Sequence, residues 1–372
     1  MKNICVFTGS RAEYGLLSKL INLFEKDNSI NLTLVVSGTH LSQDFGYTVE
    51  SIEKEFFGKI KKIHLPLEKG LSLACITAFA IKEYSFFLEN NKFDLLVLLG
   101  DRYECFAMAS AAFLSYVPIA HIHGGETTLG AIDNSLRHSI SLMSKYHFVS
   151  CEEHLSKVIS LGASKDYSLI VGPMVIDSLL VERKINNHYF ELQTKYIFGE
   201  KNILLSFHPE TLKKDFGLQI FENILLCLSE IIINGKSVVN VLASYPNADT
   251  SGFQIKKRLE EFADNHKNFF LIPSLGHDLY LYALEKFDCL IGNSSSGLIE
   301  APLIGIPVIN VGDRQKGRKS FGNVINITGS SSEISSNLKA VLEKPKLKKS
   351  SVHLKSLKSP SELISCFLSS IE

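Results

Sequence analysis

The chain has 372 residues, 45% of them hydrophobic and 21% charged, which is the balance of a folded globular protein. A chain of this length suits two domains of ordinary size better than one. Lysine plus arginine equals aspartate plus glutamate, 39 each, so no overall field favours nucleic acid or an anionic membrane as a partner. The basic strip at 343–358 lacks the interleaved aromatic residues that stack on bases, and we interpret it as a solvated linker.

The N-terminus and the cysteines indicate the compartment. The start, MKNICVF, lacks the apolar core of a signal peptide, and no stretch approaches the ~18 unbroken apolar residues of a membrane span. The seven cysteines are scattered without a CxxC pair, and several lie in apolar runs, where free cysteine packs as a small hydrophobe. We therefore expect a reduced, cytoplasmic protein.

The first half of the chain alternates short apolar runs with amphipathic segments. The segment at 14–27 carries apolar residues three and four positions apart, which is the helical period. Apolar runs separated by helices predict a parallel sheet that is covered on both faces. The predicted strands lie at 3–7, 32–37, 95–100, 118–122, 146–150 and 168–172.

A second alternating region follows GPMVID (172–177) and a polar stretch. We therefore expect an α/β protein with two Rossmann-like lobes facing a cleft, the first spanning 1–175 and the second 176–359. The last segment, 360–372, is predicted to be a helix with Ser359 or Ser361 near its start. The predicted strands of the second lobe lie in NILLSFHPE, SVVNVLASYPN, FFLIP, CLIGNSSS and PVINVG.

In such sheets the ligand lies beyond the carboxyl ends of the strands. The first corner of this kind, TGSRAEYG (8–15), is not the GxGxxG of a dinucleotide site. Arg11 lies at a helix start, where a positive charge interacts unfavourably with the helix dipole unless a bound anion compensates it. Its position after the first strand favours phosphate binding, and a surface pair between Arg11 and Glu13 is the alternative.

The second corner is LLGDRYE (98–104). A carboxylate at the end of an apolar strand would be partly desolvated, which makes Asp101 a candidate acid or base. Asp101 as the N-cap of the following helix explains the pattern equally well.

The third corner, HIHGGETTLGAID (121–133), is the most polar. His121 and His123 would share one strand face and could chelate a metal, but no third ligand stands at convincing spacing. The Gly124–Gly125 pair would let the backbone approach a ligand closely. Carboxylates beside a cation and imidazoles suit proton transfer at carbon, so we favour an acid/base site over a metal site. Helix capping by Asp133 is the alternative. The residues of the acid/base site are Glu126, Asp133, Arg137 and His138.

The second lobe carries a different set of polar residues. SFHPET ends its first strand with His208, and GNSSSG places three hydroxyls and a glycine at a helix start, which is a phosphate cradle. Glu300, one turn further on, could accept both hydroxyls of a ribose. A serine-rich cap without a ligand is the alternative. The cationic loop 312–318 is suited to closing over an anionic substrate.

These segments, taken in order, resemble the UDP-N-acetylglucosamine 2-epimerases, in particular the hydrolysing branch of sialic and legionaminic acid synthesis. They extend from about residue 4 to 328, and their joint occurrence in this order makes the resemblance to this family specific. The segments are GSRAEYG, LGDRYE, HIHGGE with GAID and RHSI, GPMVID, HPET, PNADTSG, and GNSSSG with EAP and GDRQKGR.

The resemblance implies a GT-B-like pair of lobes, with the C-terminal helix 360–372 joining the first lobe, and a homodimer or homotetramer. It implies a UDP-sugar substrate, with the UDP product in the cleft between the lobes, and no metal or other cofactor. The implied chemistry is anti elimination of UDP to give 2-acetamidoglucal, followed by addition of water to release N-acetylmannosamine.

Together, the corners and the resemblance define the candidate residues. The catalytic candidates are Asp101, His123, Glu126 and Asp133. The substrate-binding candidates are Arg11, Glu13, Arg137, His138, His208, Ser294, Ser295, Ser296, Gly297, Glu300, Arg314, Gln315 and Arg318.

One departure from the family pattern matters. The sialic-type members usually have a glutamate where this chain has His123, so the base is His123, Asp101 or Asp133. The substrate branch is open as well, between UDP-N-acetylglucosamine and UDP-2,4-diacetamido-2,4,6-trideoxyglucose (UDP-N,N'-diacetylbacillosamine). A non-hydrolysing 2-epimerase, a GT-B glycosyltransferase and a non-catalytic UDP-sugar sensor are the further alternatives.

Overall fold

The structure is a computed structural model. It describes residues 1–43, 46–67, 71–128, 133–210, 213–234, 238–246, 252–322, 324–344 and 357–370. These residues form two compact units, the first holding 1–126, 133–180 and 357–370, and the second holding 127–128 and the described residues from 181 to 344. Within the described ranges, no helix is long and apolar enough to cross a membrane.

The first unit is built on a parallel sheet of seven strands in the order β3-β2-β1-β4-β5-β6-β7. Strand β4, LLVLL, is buried at every position because helices cover both faces of the sheet. Alternate residues of β1 enter two separate cores, Ile4 and Val6 on one face and Cys5 and Phe7 on the other. The strands are β1 Lys2–Thr8, β2 Ile30–Val36, β3 Lys59–Lys62, β4 Leu95–Leu99, β5 Ile119–Ile122, β6 Tyr146–Val149 and β7 Ser168–Ile170.

Amphipathic helices cover this sheet. The first of them buries Leu17, Leu20, Ile21 and Phe24, which recur three and four positions apart. The helices are α1 Arg11–Lys26, α2 Val49–Glu55, α3 Leu73–Glu89, α4 Tyr103–Leu114, α5 Asp133–Met143, α6 Glu152–Ser160 and α7 Val175–Leu179.

The second unit repeats the architecture with six parallel strands in the order β10-β9-β8-β11-β12-β13. Its strands are β8 Lys201–Ser206, β9 Val239–Ser244, β10 Phe269–Ile272, β11 Cys289–Gly292, β12 Val308–Val311 and β13 Val324–Ile327. Its helices are α8 Asn187–Thr194, α9 Leu218–Asn234, α10 Gly252–Asn265, α11 Gly276–Lys286, α12 Glu300–Ile304 and α13 Ser331–Glu343. The prediction of an α/β protein with two parallel sheets is confirmed.

Two strands were not predicted, and both lie at sheet edges. Strand β3, KIKK, pairs only with β2, and β13, VINI, pairs only with β12 among the described strands. Both are largely exposed. Strand β3 has three lysines among its four residues, and Asn326 interrupts β13, so neither has the uninterrupted apolar run that marks a central strand.

The strand order brings the predicted corners together. Strands β1, β4 and β5 are neighbours in the first sheet, and β8, β11 and β12 are neighbours in the second. The strands are all parallel, but the order in which they are added to the sheet reverses between β1 and β4 and between β8 and β11. These are the topological switch points where ligands bind in open α/β sheets. Segments that are far apart in sequence therefore meet at one edge within each unit.

The last helix, α14 (Pro360–Ser370), belongs to the first unit and buries Ile364 and Leu368 in the core that contains α1. The hydroxyl of Ser359 accepts the N–H of Glu362 at 3.2 Å, which is the predicted cap. Asp177, from the GPMVID segment, accepts hydrogen bonds from the N–H and the hydroxyl of Ser361 at 3.1 and 2.6 Å and from the hydroxyl of Ser359. A buried carboxylate from a distant part of the chain therefore holds the start of this helix.

Candidate active site

Asp101 follows β4 and pairs with Arg137 on α5. The Arg137 side chain is 4% exposed and the Asp101 side chain 21%, so the pair sits at the edge of a buried region. Arg102, and not Asp101, is the N-cap residue of α4, and it makes no side-chain cap. The capping explanation of Asp101 is therefore wrong, and the carboxylate faces α5.

Arg137 also joins Asp101 to the third corner. Its Nη1 donates to the backbone oxygen of Glu126 at 2.9 Å. Asp133 is the first residue of α5 and lies one turn before Arg137 on the same helix. His138 follows, and its pKa is lowered by burial and by the nearby charges of Lys157 and Arg137. The structure thus brings the candidates of the second and third corners into one region of the first unit.

His123 lies just beyond the end of β5, with a positive φ of 65° that few non-glycine residues adopt. Its Nε2 accepts the N–H of Met174 at 3.0 Å, and its Nδ1 lies 3.4 Å from Oε1 of Glu126. The His123 side chain is 11% exposed. Such strain in a buried polar residue is typical of functional sites.

His121 has a different environment, so the two histidines do not form a chelating pair. Its Nε2 donates to the Gly100 carbonyl at 2.8 Å, and its Nδ1 lies 3.0 Å from the Ser141 hydroxyl. Burial lowers the pKa of His121 to about 3, which keeps the ring neutral. The expectation that His121 and His123 share a strand face is wrong, because β5 ends at Ile122. No cluster of three potential metal ligands occurs among the described residues.

Gly124 and Gly125 make room for the protein itself. A Cβ on Gly124 would lie 2.9 Å from the Ser141 hydroxyl, and one on Gly125 would lie 2.3 Å from the backbone oxygen of His154. Gly125 also has a φ of 76°. Protein atoms therefore occupy the space where either Cβ would lie, and the close approach of this backbone to a ligand stays a prediction.

At the first corner, Arg11 and Glu13 do not form the surface pair that was the alternative explanation of this segment. Glu13 is buried and accepts the N–H of Gly9 at 2.7 Å, whereas Arg11 is exposed at the start of α1. The surface pair between Arg11 and Glu13 is therefore wrong. The cation near Glu13 is Arg102, 3.9 Å away, which also donates two hydrogen bonds to the fully buried Glu104. Two acids and one arginine thus join the ends of β1 and β4.

Burial raises the pKa of Glu13 from its ordinary 4.5 to about 7, although Arg102 opposes the shift. Other carboxylates around it, Glu104 and Asp101, act in the same direction as burial. Glu13 therefore titrates close to neutral pH inside the folded protein, and it lies beneath the corner and does not face it.

This shift makes stability depend on pH. Because the folded-state pKa of Glu13 lies above the unfolded value, its contribution to stability is present at low pH and is lost as pH rises through about 7. Glu13→Gln retains an acceptor for Gly9 but cannot ionise. Between pH 5 and pH 8 the variant should gain about 2 kcal/mol of unfolding free energy relative to the wild type.

Urea unfolding at the two pH values measures this difference. The exposed Glu152 provides the control, since Glu152→Gln should leave the difference near zero. An equal stability offset of Glu13→Gln at both pH values would contradict the assignment of a neutral-pH titration to Glu13.

In the second unit, Asn293 organises the corner after β11. Its side chain exchanges two hydrogen bonds with the backbone of His208, at 2.7 and 2.9 Å. The backbone carbonyl of Asn293 accepts hydrogen bonds from the side chains of Arg314 at 3.1 Å and Gln315 at 2.9 Å. Gly292, just before it, has a φ of 140°, and a Cβ there would lie 1.9 Å from the Ser206 oxygen. The predicted residues His208, Arg314 and Gln315 thus converge on one fully buried asparagine.

The serine segment forms a short turn at the same corner. Ser294 accepts the N–H of Ser296 at 3.4 Å, and Ser295–Gly297 form a turn of 3-10 helix. Tyr280 on α11 is half-buried, with its hydroxyl enclosed near those of Ser294 and Ser296, and desolvation raises its pKa. Glu300 is the first residue of α12. Ser294, Ser295, Ser296 and Gly297 therefore form one turn that follows Asn293, and Glu300 begins the next helix.

The loop after β12 is tied to this corner. Gln315 is 4% exposed and bonded to Asn293, and Arg318 donates its backbone N–H to the Gln315 carbonyl at 3.0 Å. Burial and the Arg314 charge lower the pKa of His208 to about 3, so its ring is neutral at physiological pH. A neutral histidine beside an arginine offers a hydrogen bond and no second positive charge.

Sequence reasoning missed several residues that the structure places here. Arg102 and Glu104 stand inside the LGDRYE segment and Asn293 directly before the serines, so their positions in these motifs were available signals. Tyr280, Ser150 and His154 lie outside any motif. The packing of α11 brings Tyr280 to its site and that of α6 brings His154, whereas Ser150 lies just after β6.

Comparison with known proteins places the chain in a family. The sequence model described as UDP-N-acetylglucosamine 2-epimerase matches residues 22–360. The chain is 36% identical over 330 residues to polysialic acid biosynthesis protein P7 of Escherichia coli, covering 88% of this chain and 83% of that protein. It is 34% identical over 329 residues to GDP/UDP-N,N'-diacetylbacillosamine 2-epimerase (hydrolyzing) of Campylobacter jejuni, covering 87% and 84%.

A second hydrolysing relative and a solved structure agree. UDP-N,N'-diacetylbacillosamine 2-epimerase (hydrolyzing) of Legionella pneumophila is 30% identical over 355 residues, covering 95% of this chain and 92% of that protein. The crystal structure of UDP-GlcNAc 2-epimerase from Neisseria meningitidis bound to UDP-GlcNAc has the same fold, with a TM-score of 0.81, 22% identity and complete coverage of both chains. On this agreement of family model, relatives and fold, the chain belongs to the UDP-N-acetylglucosamine 2-epimerase family, in its hydrolysing branch.

Proposed function

We propose that the protein converts UDP-N-acetylglucosamine and water to N-acetylmannosamine and UDP. The observation that carries this proposal is the Asp101–Arg137 pair at the switch point of the first sheet. It places a carboxylate, held by a buried guanidinium, where α/β sheets bind their ligands. Membership of the epimerase family supplies the reaction class.

In the proposed first step, a carboxylate of the first unit takes the proton from C2 of the sugar. The C2–H electron pair becomes the C1=C2 double bond as the C1–O bond to UDP breaks, which gives 2-acetamidoglucal and UDP. Water then adds its hydroxyl to C1, and a proton returns to C2 on the opposite face to give N-acetylmannosamine. A C2–H beside an acetamido group is a weak acid, so the base must be placed before the reaction begins.

We assign the two proton transfers to Asp101 and Asp133. Both are on or beside α5, and Arg137 fixes the orientation of Asp101. His123 is less suited to act as the base, because its Nε2 accepts a backbone N–H and its Nδ1 faces Glu126. A general base needs a lone pair directed at the substrate proton. We therefore give His123 and Glu126 the task of shaping the corner.

We propose that UDP binds the second unit at the corner that Asn293 organises. Backbone N–H groups and hydroxyls of 294–297 would donate hydrogen bonds to the phosphates. Glu300 would accept the hydroxyls of the ribose, and Arg314 would offset the negative charge of the phosphates. Arg11, exposed at a helix start in the first unit, remains a candidate for phosphate binding. Arg318 and His138 remain candidates for sugar contacts.

UDP affinity tests this assignment. Ser295→Ala removes one hydroxyl donor to a charged phosphate, so Kd for UDP should rise about tenfold. Isothermal titration calorimetry measures the change, and Ser336→Ala, an exposed serine on α13 of the same unit, should leave Kd within about twofold. An unchanged Kd in Ser295→Ala would remove the serine turn from the nucleotide site.

A second substrate is favoured by the names of two relatives, which act on N,N'-diacetylbacillosamine nucleotides. The same chemistry on UDP-2,4-diacetamido-2,4,6-trideoxyglucose needs no change at C2. It requires only that the site accept an acetamido group at C4 and a methyl group at C5. The two substrates are therefore compared directly in one experiment.

That experiment incubates the protein with each UDP-sugar in D2O and follows the reaction by proton NMR. Free 2-epimerised sugar with deuterium at C2, together with UDP, supports the proposed function, and the faster substrate identifies the branch. Accumulation of a UDP-linked epimer would indicate a non-hydrolysing enzyme. UDP release with the C2 proton retained would indicate a transferase or hydrolase, and binding of both sugars without turnover would indicate a sensor.

We also propose that the protein is a cytoplasmic homo-oligomer, a dimer or a tetramer. The cysteines are free, which suits a reducing compartment. Helices α3 and α4 expose large aromatic side chains, which favour an interface between copies: Phe79, Phe86 and Phe113. Sedimentation of the protein as a monomer at micromolar concentration would contradict this proposal.

A further inference from the structure

A buried chain of polar groups lies behind His123 and Glu126. Oε1 of Glu126 accepts the Ser150 hydroxyl at 3.1 Å, and the oxygen of Ser150 lies 2.8 Å from Nδ1 of His154 on α6. His123, Glu126, Ser150 and His154 are all less than 10% exposed. No motif in the sequence includes Ser150 or His154.

The donors and acceptors place the protons in this chain. A backbone N–H can only donate, so Nε2 of His123 must be the unprotonated nitrogen that receives Met174, and its Nδ1 carries the proton that faces Glu126. A serine has one hydroxyl proton. If Ser150 donates that proton to Glu126, Nδ1 of His154 must donate to Ser150.

This arrangement gives the Glu126 carboxylate two donors on one oxygen, His123 and Ser150. The backbone oxygen of the same residue receives Arg137, which in turn pairs with Asp101. A continuous set of contacts therefore runs from His154 through Ser150, Glu126 and Arg137 to Asp101. Buried polar networks of this kind hold their members in one orientation only when every donor has an acceptor.

We propose that His154 is a positioning residue for the acid/base site: its Nδ1–H, through Ser150, keeps Glu126 oriented as an acceptor and thereby places Arg137 and Asp101. The proposal rests on the proposed epimerase function. Burial lowers the pKa of His154, which agrees with a neutral ring that has one N–H to direct. The charged or titratable groups around it are Glu126, His123, Glu153 and Arg137.

A pair of amide variants isolates the nitrogen that matters. The side-chain amide of His154→Asn places an N–H near the position of Nδ1, whereas that of His154→Gln places it near Nε2. We expect kcat of His154→Asn to stay within about threefold of the wild type and kcat of His154→Gln to fall about tenfold, with KM changed less than twofold in both.

Thermal unfolding of both variants controls for folding, since a residue that serves packing alone would tolerate Gln, which is closer in size to His, better than Asn. Ser150→Ala is the second variant and removes the link without changing α6. It should reproduce the loss in kcat, and the double variant Ser150→Ala/His154→Gln should lose no more than about twofold beyond either single change. Equal activity of the Asn and Gln variants, or additive losses in the double variant, would overturn the proposal.

One readout does not depend on turnover. In ¹⁵N-histidine-labelled protein, long-range ¹H–¹⁵N correlation spectra distinguish the two neutral tautomers, and the signals missing from His154→Gln identify His154. Protonation at Nδ1 is expected, and protonation at Nε2 alone would overturn the proposal. If the wild type turns over neither UDP-sugar, the proposed function fails, whereas an active wild type with an Nε2 tautomer fails only the role of His154.

Discussion

Asp101→Asn is expected to lower kcat by about 10²- to 10⁴-fold while Kd for UDP changes less than twofold, because a positioned base contributes on this scale and does not contact the nucleotide. The amide keeps the size of the side chain and still accepts from Arg137, but it cannot take a proton. The measurement is the rate of free sugar release, followed by NMR or by a coupled assay of UDP. Deuterium incorporation at C2 should fall in proportion.

Two further variants sharpen this test. Asp133→Asn should show the same pattern if it handles the second proton. Asp166→Asn, at an exposed position of the same unit, should retain the wild-type rate. Near-normal rates in both Asp101→Asn and Asp133→Asn would remove these carboxylates from the mechanism and return the role of base to His123.

Asp177→Ala is expected to lower the free energy of unfolding by about 3–5 kcal/mol, because it leaves the donors that hydrogen-bond to the buried carboxylate without an acceptor. Asp177 is 3% exposed and receives the two hydroxyls and one N–H at the start of α14. Lys19 lies 3.6 Å from the same carboxylate and 2.8 Å from Glu362. Removal of the Asp177 carboxylate therefore leaves Lys19 with Glu362 and without its buried partner. Urea unfolding measures the stability, and amide exchange should show the largest loss of protection in α14.

Glu362→Gln is the matched control for this prediction. Its side chain is 63% exposed, and pairs at such positions contribute about 0–1 kcal/mol. A loss below about 1 kcal/mol in Asp177→Ala would show that helix packing, and not the capping carboxylate, holds the C-terminal segment.

Much of the fold was predictable because central parallel strands are apolar on both faces. The runs at β1, β4 and β8 are long, uninterrupted and separated by helices of clear period. The same logic fails at an edge strand such as β3, where the lysines that face solvent remove the signal.

The candidate sites were predicted at the level of segments, since the carboxyl ends of neighbouring parallel strands must meet. The roles of individual side chains were not predictable in the same way. Asp101 was equally well explained as a cap, and Glu13 as half of a surface pair, until the structure showed one carboxylate facing α5 and the other buried beneath Gly9.

The sequence by itself determined the class of fold, the strand ends that carry polar residues and, through its motifs, the epimerase family. Only the tertiary structure decided which side chains pair: Asp101 with Arg137 across 36 positions, His208 with Asn293 across 85, and Asp177 with Ser361 across 184. The physical reason is that hydrophobic periodicity is a local property, whereas the partner of a buried polar group is whichever complementary group the packed sheets and helices bring within hydrogen-bonding distance.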